Sequence, residues 1–111
     1  MKRYFFLRIG LVFFLLFFYS ISEAASLEEA IVGKWRAEKG GNIIEYLEDG
    51  TLLGADGITG NYKVLSDGRL KIEVIAPFFG RTVEVFKVSI QGNKLTTIDR
   101  QGGVDIFWRV E

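Results

Sequence analysis

Seven turn signals cut this chain into short pieces: Gly40-Gly41, Asp49-Gly50, Asp56-Gly57, Asp67-Gly68, Phe79-Gly80, Gly92-Asn93 and Gln101-Gly102-Gly103. Glycine reaches the left-handed backbone that tight hairpins need, and Asp or Asn beside it tolerates the same region. Eight apolar-rich segments lie between these turns: 34–39, 42–48, 51–55, 58–65, 69–75, 81–90, 94–99 and 104–110. The connections have hairpin length, so neighbouring strands run antiparallel. No strand–helix–strand crossover is present. The expected fold is all-β: a small eight-stranded, up-and-down antiparallel barrel, of a size whose interior is filled by side chains or holds one small ligand.

Alternation assigns faces to the strands. In segment 69–75, Leu70, Ile72 and Val74 oppose Arg69, Lys71 and Glu73. Trp35 and Ala37 share a face, as do Ile44 and Tyr46, and Tyr62 and Val64. In the last segment Val104, Ile106, Trp108 and Val110 alternate with Asp105, Phe107, Arg109 and Glu111. Segment 81–90 changes parity: Val83 and Val85 point one way, Phe86, Val88 and Ile90 the other. That predicts a bulge, or a strand covered on both sides. Before the first strand, Ser26 to Val32 reads as a short helix. Ser26 and Glu29 are spaced as a capping box, and Gly33 ends the helix. It is expected to plug one end of the barrel.

Residues 1–24 read as a secretory signal peptide. Lys2, Arg3 and Arg8 give a positive start, Ile9 to Tyr19 an apolar run, and Ser22-Glu23-Ala24 small residues before a cleavage point. The run of roughly eleven residues is short of the ~20 that span a bilayer; a retained anchor is the rival reading. The mature domain is then 25–111, secreted or periplasmic. It holds eleven of the fourteen basic and thirteen of the fourteen acidic residues, a net charge of about −2. No basic footprint for nucleic acid results, and no basic block for a membrane surface once the leader is cleaved. With no cysteine, stability must come from packing, which barrel closure favours by pairing every strand edge.

The chain has no His and no Cys, which removes the commonest bases, thiol nucleophiles and zinc ligands. Ser26, Ser66 and Ser89 sit in no nucleophile elbow. Asp49, Asp56 and Asp67 each precede a glycine and read as turn residues. Glu45, Glu73 and Glu84 read as mid-strand charges on a solvated face. The run from Asp56 to Asn61 is too sparse in oxygen ligands for calcium. The expectation is a non-enzymatic protein without metal or cofactor.

Aromatic residues carry what remains. Trp35, Tyr46, Tyr62, Phe86 and Trp108 sit on apolar faces of five strands. They line a pocket for a small apolar ligand, or they fill the lumen as core. Phe78 and Phe79 fall in a hairpin loop after Pro77. They form a lid or a partner-binding patch, or one folds over the barrel mouth. The function classes are therefore a carrier of a small hydrophobic molecule and, as the alternative, a structural or protein-interaction module with a filled barrel.

Three motifs stand in order: Gly33-Lys34-Trp35, Tyr46-Leu47-Glu48-Asp49-Gly50-Thr51 and Gly60-Asn61-Tyr62. In this order they resemble the short bacterial lipocalin-like (calycin-type) domains. The resemblance covers the mature chain, which is shorter than typical lipocalins and lacks their disulfide. It implies that Trp35 closes one barrel end, with an arginine of the last strand packed across its ring; Arg109 is the candidate. Parity puts Arg109 and Trp108 on opposite faces, so only one of them can meet Trp35. Thr59-Gly60-Asn61-Tyr62 is also similar to a step of avidin-like barrels. The first hairpin, Gly40-Gly41-Asn42, offers no polar ligand set for biotin.

Overall fold

Each turn signal closes a hairpin. The structure, a computed structural model, describes residues 26–78 and 80–110, the side chain of Asp56 excepted. The leader read at 1–24 and the ring of Phe79 lie outside the described residues. A short helix, α1 (26–31), precedes β1 (Gly33–Ala37), β2 (Ile43–Tyr46), β3 (Thr51–Leu53), β4 (Thr59–Val64), β5 (Leu70–Ala76), β6 (Gly80–Gln91), β7 (Lys94–Ile98) and β8 (Val104–Val110). A 3-10 turn at Ala55–Gly57 joins β3 to β4. Every strand pairs with its sequence neighbour, and β8 pairs back onto β1, so the sheet closes.

The turns are built by the residues that announced them. Asp49 accepts a hydrogen bond from the Thr51 N–H, Asp67 from that of Arg69, and Asp99 from those of Gln101 and Gly103. These are Asx turns, in which a short side chain mimics the backbone. The Thr51 side chain, then its N–H, holds the Asp49 carboxyl below the usual carboxylate range. The Arg69 N–H does most to hold Asp67 down in the same way. Gly60 serves packing rather than a turn. A Cβ there would lie 2.1 Å from the Glu73 carbonyl oxygen, so only glycine lets β4 and β5 approach this closely.

Register sets which side chains enter the lumen. Trp35 is opposite Ile44 and Arg109; Tyr62 is opposite Ile72; Leu70 is opposite Phe86; Leu95 is opposite Phe107. The expected bulge in β6 is absent. Its pairings with β5 and β7 keep one register throughout, so Thr82, Glu84, Phe86, Val88 and Ile90 share the inner face. Val83 and Val85 are on the outer face, and Val83 is exposed. The apolar pair that suggested a parity change is apolar surface.

The two barrel ends differ. Turns 47–50, 65–69 and 92–93 surround one end, where α1 lies. Loops 38–42, 54–58 and 99–103, with residues 77–78, surround the other. The buried core gathers at the helix end: Leu27 and Ile31 of α1 with Trp35, Tyr46, Leu52, Val64, Leu70 and Leu95. Burying each large apolar side chain contributes about 1.5–3 kcal/mol. The sheet is thus plugged at one end and open at the other.

Candidate functional site

The plug fixes the depth of the lumen. Trp35 is fully buried, and its indole N–H donates to the Ile31 carbonyl at 2.8 Å. The Arg109 guanidinium lies over the indole face, 4.2 Å from the ring centroid, and donates to the carbonyls of Ala30 and Val32. A helix leaves its last carbonyls without partners and carries partial negative charge there. Here one indole and one guanidinium satisfy three successive carbonyls at the end of α1. Gly33 makes room for this. Its φ is 130°, and a Cβ would sit 3.0 Å from Arg109 Nη1. The Gly-x-Trp step thus has a local physical cause, and Arg109, not Trp108, meets Trp35.

Above the plug the barrel is hollow. A cavity of about 340 Å³ opens toward the loop end. Its walls are mainly apolar: Tyr46 and Leu52 at depth, then Ile44, Ile72 and Val74, with Phe86 and Phe107 across from them. Four polar residues complete it: Thr82, Glu84, Thr97 and Asp105. Wider hollows of about 580 and 730 Å³ flank α1, the first against β6 and the 67–69 turn, the second against the 48–50 turn and β4. Their linings carry many charged groups, among them Asp67, Arg69 and Lys87 in one and Glu28, Glu48 and Lys63 in the other, so they do not offer a mainly apolar site.

Of the five aromatic residues read as ligand-binding, Tyr46 and Phe86 line the cavity. Trp35 lies below it, in the plug. Tyr62 faces inward toward the closed end. Its ring meets Tyr46 edge-on at 5.0 Å, and its hydroxyl donates to the Leu47 carbonyl. Burial, reinforced by the neighbouring phenol, pushes the Tyr46 phenol well above the usual tyrosine range. Tyr62 is raised too, by burial first and then by Asp49, Glu28 and Glu48.

Trp108 requires a correction: it is on the outer face, 44% exposed. Lys94 lies 5.9 Å from its ring centroid, and Arg36 is its partner on β1. The inner set of β8 is Asp105, Phe107 and Arg109, because the plug needs a cation and the mouth holds an acid. Apolar alternation therefore marks the wrong face of this strand. Phe78 is fully exposed at the open end on a left-handed backbone, φ 72°, and does not fold over the mouth. A bulky residue at positive φ is strained.

Glu84 requires a second correction. It lines the lumen rather than the solvated face, whereas Glu73 is outside, paired with Arg81. Extending the parity of Phe86, Val88 and Ile90 backwards along β6 would have found it. Ile44, Leu52, Val74, Thr97, Asp105 and Phe107 also belong to the site and were not singled out from the sequence. Among the described residues no group of three or more His, Cys, Asp or Glu is placed to hold a metal ion. Likewise no helix among them is long and apolar enough to cross a membrane. Comparison with protein-family models, curated proteins and solved structures finds no match for this chain.

Proposed function

We propose that this protein is a non-enzymatic carrier that takes one small apolar molecule into the open half of its barrel. One observation carries the reading: an apolar cavity of about 340 Å³, plugged below and open above. That volume sits at the lower end of the ~300–1,000 Å³ range of small-molecule pockets. The resemblance to short lipocalin-like domains supports the same reading. The leader supports export; N-terminal sequencing of the exported protein is then expected to begin Ala25-Ser26-Leu27, and full-length chain in the membrane fraction would refute cleavage.

Titration with the neutral fluorescent probe N-phenyl-1-naphthylamine tests the pocket. Saturable binding is expected, and Phe86→Trp weakens it by narrowing the wall with little loss of stability. A lumen filled in solution gives no saturable binding, and the added ring then overpacks the core at about 1–3 kcal/mol. Such a result would leave the protein-interaction reading. Two outward features favour that alternative: fully exposed Phe78 and the Lys94–Trp108–Arg36 row.

A further inference from the structure

The cavity is not uniformly apolar, and its polar groups share one character. Its depth is made by Tyr46, Leu52 and aliphatic side chains, whereas the charged residues lining it are Glu84 on β6 and Asp105 on β8. No basic residue lines it. The two ion pairs among the described residues, Arg69–Asp67 and Arg81–Glu73, involve neither acid. Both carboxylates are solvent-accessible, as groups at a mouth must be. Arg100 shares an outer cleft with Glu84 at the rim, beside Asp99.

A hydroxyl lies beside them. Thr97 is the buried polar side chain of the described residues, 5% exposed, and it lines the same cavity in register with Asp105. Its hydroxyl adds a polar atom to an otherwise mainly apolar wall. Hydroxyl and carboxylates together accept hydrogen bonds and attract positive charge. An anionic head group would meet two like charges on its way in.

We infer that the ligand is an amphiphilic organic cation: an apolar body that fills the lumen below a protonated amine held by Glu84 and Asp105. This rests on the carrier reading and narrows it to a ligand class. The acids act as a selective rim. They add affinity for an ammonium head and oppose a carboxylate or sulfonate of equal length.

Displacement of N-phenyl-1-naphthylamine by three ligands of one chain length tests the inference: decylammonium, decanol and decanoate, each below its micelle threshold at neutral pH. An exposed ion pair gives at most about a fivefold gain, so two give decylammonium a preference over decanol of about tenfold. Decanoate is weakest. The preference shrinks with added salt, as solvent-exposed charge pairs do. In the Glu84→Gln, Asp105→Asn double variant decylammonium falls to the level of decanol. Decanol still displaces the probe saturably, which shows that the variant is folded. If decanol displaces the probe and decylammonium is no better, the cation inference is overturned and the carrier reading stands. Retention of the preference by the double variant overturns it equally. If the wild type does not bind the probe at all, both readings fail together.

Discussion

Replacing Arg109 with methionine keeps an unbranched side chain over the indole and removes the charge. Three contacts are lost: the cation–π stack at 4.2 Å and two hydrogen bonds to the carbonyls that end α1. A hydrogen bond from a charged donor is worth about 1.5–3 kcal/mol. Water can reach a half-buried helix end, so the lower value applies to each bond. The stack adds roughly 0.5–1 kcal/mol, and the methionine recovers part of the packing. The expected loss is about 3 kcal/mol, which for a domain this small lowers Tm by about 12–24 °C. Urea melts followed by tryptophan fluorescence measure it, with buried Trp35 reporting on the plug. Arg36→Met is the control, because Arg36 is exposed on the outer face of the same sheet; its effect stays within about 0.5 kcal/mol. The Arg109 loss should shrink in a Trp35→Phe background, since the two side chains share one cap. Equal effects of Arg109→Met and Arg36→Met would refute the assignment of Arg109 to the plug.

Three further outcomes follow from the same geometry. Gly60→Ala drives a Cβ to 2.1 Å from the Glu73 carbonyl, and is expected to cost more than about 2 kcal/mol by overpacking; a neutral melt would show that β4 and β5 separate freely. Trp108→Ala leaves probe binding unchanged and shifts stability by under about 1 kcal/mol, whereas Trp35→Ala costs about 3–5 kcal/mol; loss of probe binding in Trp108→Ala would place that ring in the lumen. The raised phenols of Tyr46 and Tyr62 stabilise the fold fully below the ordinary tyrosine value near 10, and that contribution is lost as pH rises from there toward their folded values. Absorbance at 295 nm should therefore show Tyr46 ionising only as the barrel unfolds, and Tyr46→Phe should flatten the alkaline loss of stability; early ionisation of Tyr46 in the folded protein would contradict its burial.

The barrel was legible because its information is local. Gly–Asp turns and alternation in strands such as Leu70–Ala76 depend on neighbours only, and all eight strands lie where those signals place them. The site was legible in part, because facing depends on what an inward position must do. Tyr46 and Phe86 followed the rule that apolar residues point in. Arg109, Asp105 and Glu84 broke it: one of them caps a helix and two flank an opening, and neither need is visible in a single strand. Trp108 was misplaced for the same reason, since its exposed ring is accompanied by Lys94 rather than by core. Val83 and Val85 imitated a parity change because outward valines are good strand residues whether or not they are covered.

The pairing of β1 with β8 and the grip of Arg109 on Val32, 77 positions earlier in the chain, set an order of events. Neither the plug nor the closed sheet can form until the last strand is available. Contacts this distant in sequence make folding slow, and an incomplete chain keeps β1 as an unpaired edge with Trp35 uncovered. A polypeptide emerging from the ribosome therefore cannot close its barrel or seat its plug until the last strand has been made.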